Sequence, residues 1–157
     1  MSGSQRRGRQ ARQGKGTNGP VPADEGAIKE TIASDYDVGF QEVQRRILGA
    51  AEKRGYRSQV LFALKMALEE ALVNAIKHGN KNDKGKRVLV EASFSPQQAE
   101  ISIEDEGPGF DRKSVPDPLA EENLEKPSGR GILLIESYMT KVFWENGGRR
   151  VRMIKQP

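Results

Sequence analysis

The sequence contains no cysteine. Without cysteine, neither a disulfide framework nor a thiolate metal site can form, and a reducing cytoplasm is the expected setting. No apolar run approaches the roughly 20 residues that a membrane-spanning helix needs, and the N-terminus lacks the apolar block of a signal peptide. These absences predict a soluble, cytoplasmic protein. Its 157 residues suit one domain with a single core.

The charged residues are also unevenly distributed along the chain. The formal net charge is +4, but residues 1–26 hold five basic and two acidic residues, so this segment carries +3 and the remainder only +1. The segment is rich in Gly, Ser, Gln and Arg and has almost nothing apolar to bury, which predicts a disordered basic tail ahead of one domain over residues 27–157. A solvated leader and a nucleic-acid or membrane-surface arm are both compatible with this tail. Nucleic-acid binding through it would depend steeply on salt and would be lost on deleting residues 1–20.

From Ala27 onward, apolar residues recur with the periods of strands and helices. The predicted elements, in chain order, are a strand over 27–34, a helix over 38–54, a helix over 58–78, strands over 87–95 and 99–105, a loop over 106–128, a helix from Gly131, and a hairpin of 141–145 and 150–155 turned at 146–148. Helices and strands are mixed, and the strands come as hairpin neighbours. This pattern predicts an α/β fold, a two-layer sandwich with three helices packed on one face of a mostly antiparallel mixed sheet.

The second predicted helix carries two different stripes. A core seam recurs at about 100° per residue, formed by Leu61, Leu64, Leu68, Leu72 and Ala75. Glu70 and Asn74 lie one turn apart on a stripe roughly opposite, and His78 follows as a helix-end residue. This stripe is compatible with an ordinary solvated face. It is also compatible with phosphate chemistry, because an amide oxygen is a suitable Mg²⁺ ligand and a carboxylate can orient an attacking hydroxyl or accept its proton.

Two glycine clusters follow. Asp105 ends a predicted strand, and Gly107 and Gly109 come after it at alternate positions. Glycine lets a backbone approach a ligand closely or take a positive φ, and a strand-end carboxylate can accept a hydrogen bond from an exocyclic amine such as that of adenine. An ordinary Gly-Pro-Gly turn explains the same residues equally well.

The second cluster, Ser128-Gly129-Arg130-Gly131, stands immediately before the third predicted helix. Exposed amides at a helix start, together with the positive end of the helix dipole, favour an anion such as phosphate. Arg130 adds a positive charge. Many helices begin with glycine, so this cluster also has an ordinary structural explanation.

Taken together and in order, the three motifs resemble the histidine-kinase-like ATPase superfamily, and within it the stand-alone anti-sigma factor serine kinases of the switch-protein type. "LEEALVNAIKHGN" resembles their N box, "IEDEGPGFD" their first glycine box and "PSGRGILLIESYMTKV" their second. The likeness covers about Ala27 to Lys155. It implies the Bergerat ATP-binding fold, with ATP or ADP and Mg²⁺ as cofactors.

The resemblance also implies a role for each matching residue. Glu70 would polarise the attacking hydroxyl and Asn74 would hold Mg²⁺, while Asp105 would bind the adenine amine. Gly107 and Gly109 would let the base and sugar lie close to the backbone, and the ATP lid would span residues 110–128. The second box would contact the phosphates, with Arg130 also a catalytic candidate, through Ser128, Gly129, Arg130, Gly131 and Ile132.

Two departures from the family pattern bear on phosphoryl transfer more than on nucleotide binding. Arg149 stands where the family often has a threonine after the glycine of the last hairpin. Some switch kinases carry a catalytic arginine in the lid, and the local match here has Lys126 followed by an inserted Pro127.

The function implied by the resemblance is an ATP-dependent protein-serine kinase that phosphorylates an anti-sigma antagonist and sequesters a sigma factor. A homodimer is implied by the same likeness. The alternative is a nucleotide-binding partner switch that transfers no phosphate. Transfer to a partner serine that disappears in Glu70→Ala would distinguish the two.

Overall fold

The computed structural model describes residues 26–117, 119–120 and 130–157. The predicted basic tail, apart from its last residue, lies outside the described residues, and its disorder stays a prediction. Ser128 and Gly129 lie outside them as well, as do Lys126 and Pro127 of the predicted lid.

The elements follow the predicted order closely. The strands are β1 (Ile28–Ala33), β2 (Arg87–Phe94), β3 (Ala99–Asp105), β4 (Lys141–Glu145) and β5 (Arg150–Lys155). The helices are α1 (Val38–Lys53), α2 (Ser58–Val73) and α3 (Arg130–Tyr138), with a π-helical segment (Asn74–Gly79) continuing α2 and short 3₁₀ turns at Arg112–Ser114 and Asn146–Gly148. None of the helices in the described part of the chain is long and apolar enough to cross a membrane.

The five strands form one sheet in the order β1-β2-β3-β5-β4. The register places Val90 opposite Ile103, and Ile103 opposite Val151, so that buried apolar side chains line up across three strands on the face that packs against the helices. The predicted two-layer α/β sandwich is confirmed. One detail is refined, because every described pairing is antiparallel where a mixed sheet was expected.

The opposite face of the sheet is polar. Arg150 lies on this face and contacts three carboxylates from other strands, Glu91 at 3.2 Å and Glu104 and Glu145 both at 3.5 Å. Side chains that alternate along each strand therefore separate one apolar face from one charged face. The single core lies between the sheet and the helices.

The first helix begins where its sequence predicts. The Asp37 carboxylate accepts hydrogen bonds from the backbone N–H groups of Gly39 (2.9 Å) and Phe40 (3.4 Å), which satisfies two donors that the first turn of a helix leaves free. The apolar stripe that follows is fully buried, at Val43, Ile47 and Ala51.

The second helix buries the predicted seam and then changes its hydrogen bonding. Leu64, Leu68 and Leu72 are fully buried, while Leu61 is only partly so. Beyond Val73 the helix continues in the π form, and the backbone N–H of Asn80 donates to the Ala75 carbonyl five residues earlier, at 2.8 Å. Sequence periodicity predicted one regular helix to His78 and missed this widening. Short π segments inside helices are frequent at functional sites.

The Asp37 cap is testable on its own. Asp37→Ala should lower the free energy of unfolding by about 1 kcal/mol, because both amides lose their side-chain acceptor, whereas Asp37→Asn should retain most of the stability since asparagine caps helices about as well. Urea denaturation of the two variants measures the difference. Equal stabilities would contradict the capping role.

Candidate functional site

A cavity of about 580 Å³ lies between the end of α2 with its π-helical continuation, the end of β3, the start of β5 and the start of α3. This volume lies within the usual range of small-molecule sites, about 300–1,000 Å³. Its lining includes residues from all three sequence motifs, namely Glu70, Asn74, Asp105, Gly109, Arg130 and Gly131. Motifs that are far apart along the chain therefore meet around one cavity.

The Glu70–Asn74 stripe is not an open solvated face. Both residues are partly buried and line the cavity, on the side of the helix away from the leucine seam. Gly131 packs directly against them: a Cβ at this position would lie 2.7 Å from Glu70 Oε2 and 3.5 Å from Asn74 Oδ1. Glycine thus allows the first turn of α3, whose backbone N–H groups have no partner within the helix, to approach the pair. His78 also lines the cavity but is exposed.

Asp105 is held at the end of β3 by contacts on both sides. Its Oδ1 accepts a hydrogen bond from the Gly107 N–H at 2.8 Å, and its own N–H donates to the Arg149 carbonyl at 3.0 Å. The end of the π-helical segment lies so close that a Cβ at Gly79 would clash with the carboxylate. Gly107 lies outside the cavity lining and packs against the Gly79 carbonyl.

The electrostatics of Asp105 favour a ligand that donates hydrogen bonds. Burial raises the pKa of Asp105 above its ordinary value, and this outweighs the Gly107 hydrogen bond and the positive charge of Arg149, which both lower it. A carboxylate that has lost part of its hydration gains most from a donor supplied by a ligand. A partly dehydrated carboxylate of this kind suits a nucleobase that donates a hydrogen bond.

The wall opposite α2 comes from the segment after Asp105 and the β4–β5 turn. Gly109 has φ +78° and packs against the Gly147 carbonyl, where a side chain would clash. The Phe110 N–H donates to that same carbonyl at 2.9 Å, and the Phe110 ring packs edge-on against Trp144, with centroids 5.2 Å apart. Arg149 lines the cavity beside them.

Sequence reasoning missed a clamp centred on Glu136 of α3. The Arg112 guanidinium donates two hydrogen bonds to the Glu136 carboxylate, at 2.8 and 2.9 Å, and the Trp144 indole N–H donates to it at 3.3 Å. The Arg112 hydrogen bonds lower the pKa of Glu136. The clamp fastens the start of the predicted lid to α3 and to β4. No local sequence pattern predicts this contact, because Arg112 and Glu136 are far apart in sequence.

The second glycine box is only partly described. Arg130, Gly131 and Ile132 all line the cavity at the start of α3. The predicted phosphate contacts of Ser128 and Gly129 lie outside the described residues. Among the residues that are described, no group of three or more His, Asp or Glu side chains could hold a metal ion. Glu70 Oε2 and the Asn74 carboxamide oxygen are both hard oxygen donors that lie close to the start of α3.

Comparison with known proteins agrees with this geometry. Residues 34–155 match a family described as the histidine kinase-like ATPase domain. An anti-sigma F factor of Clostridium perfringens (strain SM101 / Type A) is 35% identical over 99 residues, which cover 59% of this chain and 70% of that protein. Serine-protein kinase RsbW of Listeria innocua is 28% identical over 107 residues, covering 63% and 68%. The protein of the same name in Listeria monocytogenes (strain EGD-e) has the same identity and coverage.

The raised pKa of Asp105 predicts how Asp105→Asn changes stability in the absence of a ligand. The folded protein binds this proton more tightly than the unfolded chain does, so the stability contributed by the carboxyl is lost as the pH rises from 3.8 through the raised value. Asparagine has no charge to bury. The variant should therefore gain stability relative to wild type between about pH 4 and pH 7.

Urea denaturation of both proteins at the two pH values measures this change. Glu52→Gln is a suitable control because Glu52 is exposed on α1, and its effect should stay nearly constant. If the free energy of unfolding of wild type rises relative to that of Asp105→Asn on going to neutral pH, the result would contradict the burial of Asp105.

Proposed function

This chain belongs to the histidine kinase-like ATPase domain family, and we propose that it binds ATP or ADP with Mg²⁺ in the cavity and phosphorylates a serine of a partner protein. The observation that carries the proposal is the convergence of Glu70, Asp105 and the start of α3 on one cavity. We infer that the ATPase domain spans residues 27–157.

Asp105 selects the base and the opposite end of the cavity receives the phosphates. The carboxylate accepts a hydrogen bond from the exocyclic amine of adenine, and Gly109, which has no side chain, leaves room in the cavity for the base and the sugar. Gly107 lies outside the lining and acts through its N–H, which holds the Asp105 carboxylate. The first turn of α3, at Gly131, presents backbone N–H groups to the phosphates, and Arg130 adds positive charge.

Asn74 is the residue that holds the metal ion, through its carboxamide oxygen. Mg²⁺, when bound with nucleotide, neutralises phosphate charge and aligns the reacting groups. A single protein oxygen is enough for this purpose because Mg²⁺ in such sites takes most of its ligands from phosphate and water. The lack of an acidic cluster among the described residues fits that division.

Glu70 acts on the attacking hydroxyl. It orients the serine O–H and accepts its proton as a bond forms between the serine oxygen and the γ-phosphorus. The bond from the γ-phosphorus to the β–γ bridging oxygen breaks, and ADP leaves with the electron pair. Support for this role comes from the closeness of Glu70 Oε2 to Gly131 at the phosphate-binding end of the cavity.

The names of the relatives support a partner-switching role. One is an anti-sigma F factor and others are serine-protein kinases. For this chain we infer that the phosphorylated partner is an anti-sigma antagonist and that a sigma factor is the protein it sequesters. From the family likeness alone, and not from these names, we also propose a homodimer and a cytoplasmic location.

The second candidate function is a nucleotide-dependent switch that holds partners without phosphorylating them. Arg149 favours it, because this cation lies on the cavity wall where the family often has a threonine.

Glu70→Ala separates binding from transfer. The variant should bind Mg²⁺-ATP within about threefold of wild type, because Glu70 faces the hydroxyl and not the base. Transfer should fall by about 100-fold or more, the usual contribution of a positioned base. Incubation with γ-labelled ATP and an extract of the cells that carry this chain, followed by mass spectrometry of phosphoserine, measures transfer.

Glu69→Ala is the matched control, since Glu69 precedes Glu70 on the helix but is exposed. It should transfer phosphate at the wild-type rate. Wild-type transfer in Glu70→Ala would overturn the assigned role. Nucleotide binding without any transfer by the wild-type protein would establish the switch function instead.

A further inference from the structure

A closed ring of hydrogen bonds joins the end of the π-helical segment to the ends of β2 and β3. The Asn80 side-chain amide donates to the Arg87 carbonyl at 3.0 Å, and its Oδ1 accepts from the Glu106 N–H at 2.8 Å. The Arg87 N–H closes the ring by donating to the Glu106 carboxylate at 3.1 Å. Asn80 is 0% exposed.

The ring replaces one step of the β-ladder. Val88 pairs with Asp105 as the last regular pair of β2 and β3, so Arg87 and Glu106 would face each other next. The Asn80 carboxamide joins their backbone groups instead. A buried carboxamide needs a partner for each half of the group, and here its NH₂ donates to a carbonyl while its oxygen accepts from an N–H.

Asn80 is connected to Asp105 through both neighbouring segments. Gly79, directly before Asn80, packs against the Asp105 carboxylate. Glu106, whose backbone N–H donates a hydrogen bond to the Asn80 side chain, directly follows Asp105. The backbone N–H of Asn80 is itself fixed to the Ala75 carbonyl. The side chain therefore fixes the strand end that carries the carboxylate and the helix end against which it packs.

We propose that Asn80 is a positioning residue for base selectivity, holding the Asp105 carboxylate in the direction that accepts the adenine amine. The inference rests on the proposed nucleotide-binding function. Guanine carries a carbonyl oxygen where adenine carries this amine, so a fixed carboxylate attracts one base and repels the other. Freedom of the strand end would weaken that discrimination.

The phosphate end of the cavity provides an internal comparison. The ring contains no atom of Glu70, Asn74 or Gly131. A ligand that has phosphates and no base, such as inorganic tripolyphosphate, should therefore be insensitive to the ring. A general loss of folding would reduce the affinity for all ligands alike.

Asn80→Ala tests base selectivity by calorimetric titration with Mg²⁺ and each of ATP, GTP and tripolyphosphate. We expect the ATP dissociation constant to rise by about tenfold or more, the preference for ATP over GTP to fall, and tripolyphosphate to stay within about threefold. In an Asp105→Asn background the same substitution should have little further effect on ATP, because coupled residues are not additive.

Amide hydrogen exchange, followed by NMR in the nucleotide-free protein, tests the ring without relying on any ligand. Asn80→Ala should accelerate exchange at Glu106 and Gly107 by about tenfold or more, while Val90 in the core of β2 stays protected. Glu106→Ala should have a smaller effect of the same kind, because it removes only the bond to the Arg87 N–H. Its side chain is exposed, so folding is secure even if Asn80→Ala does not fold.

Asn82→Gly is the matched control. It removes an exposed carboxamide two residues away from Asn80. Asn82 has a φ of 57° and its neighbour Lys81 a φ of 53°, and glycine adopts such positive values without strain. It should change neither exchange nor selectivity.

Amide exchange rates that stay unchanged in both Asn80→Ala and Glu106→Ala would overturn the inference, whatever the nucleotide affinities are. Accelerated exchange with an unchanged preference for ATP over GTP would overturn the selectivity role. A wild-type protein that binds neither nucleotide would overturn the proposed function, and the selectivity with it, while the exchange data would still report on the ring.

Discussion

The site depends on close packing between the end of β3 and the end of the helical segment that continues α2. Gly79 has no side chain, so the Asp105 carboxylate can lie against the helix backbone, and Gly107 packs there in turn. This contact removes part of the hydration of Asp105 and raises its pKa. A helix residue with a larger side chain would push the carboxylate out of the place where a base could meet it.

The rest of the fold brings the remaining groups to this contact. The sheet has one apolar face, so the helices cover only that side, and α3 lies beside α2. Gly131 then lets the start of α3 approach Glu70 and Asn74. One end of the cavity is thereby suited to a base that donates hydrogen bonds, and the other end to phosphate. Phosphoryl transfer needs mainly this kind of positioning.

Local sequence patterns predicted the elements because their causes are local: the Asp37 cap and the leucine seam act within a few residues. The same patterns indicated which residues could form the site. Each motif taken singly had an ordinary structural explanation, and only the order of all three indicated the family. The π-helical segment was missed because one widened turn, closed by local hydrogen bonds five residues apart, hardly alters the helical periodicity. The Asn80 ring was missed because its hydrogen bonds join segments that are distant in sequence. The Glu136 clamp joins residues distant in sequence, which periodicity does not reveal.

The most direct test of the account is a thermal melt of wild type and Asp105→Asn, each with and without Mg²⁺-ATP or Mg²⁺-ADP. Nucleotide at a hundred times its dissociation constant should stabilise the wild-type protein by ~2.7 kcal/mol, with a clear rise in melting temperature. The account predicts that rise in wild type and its loss in the variant. No rise in wild type, or an equal rise in both proteins, would contradict the assignment of the cavity as a nucleotide site selected by Asp105.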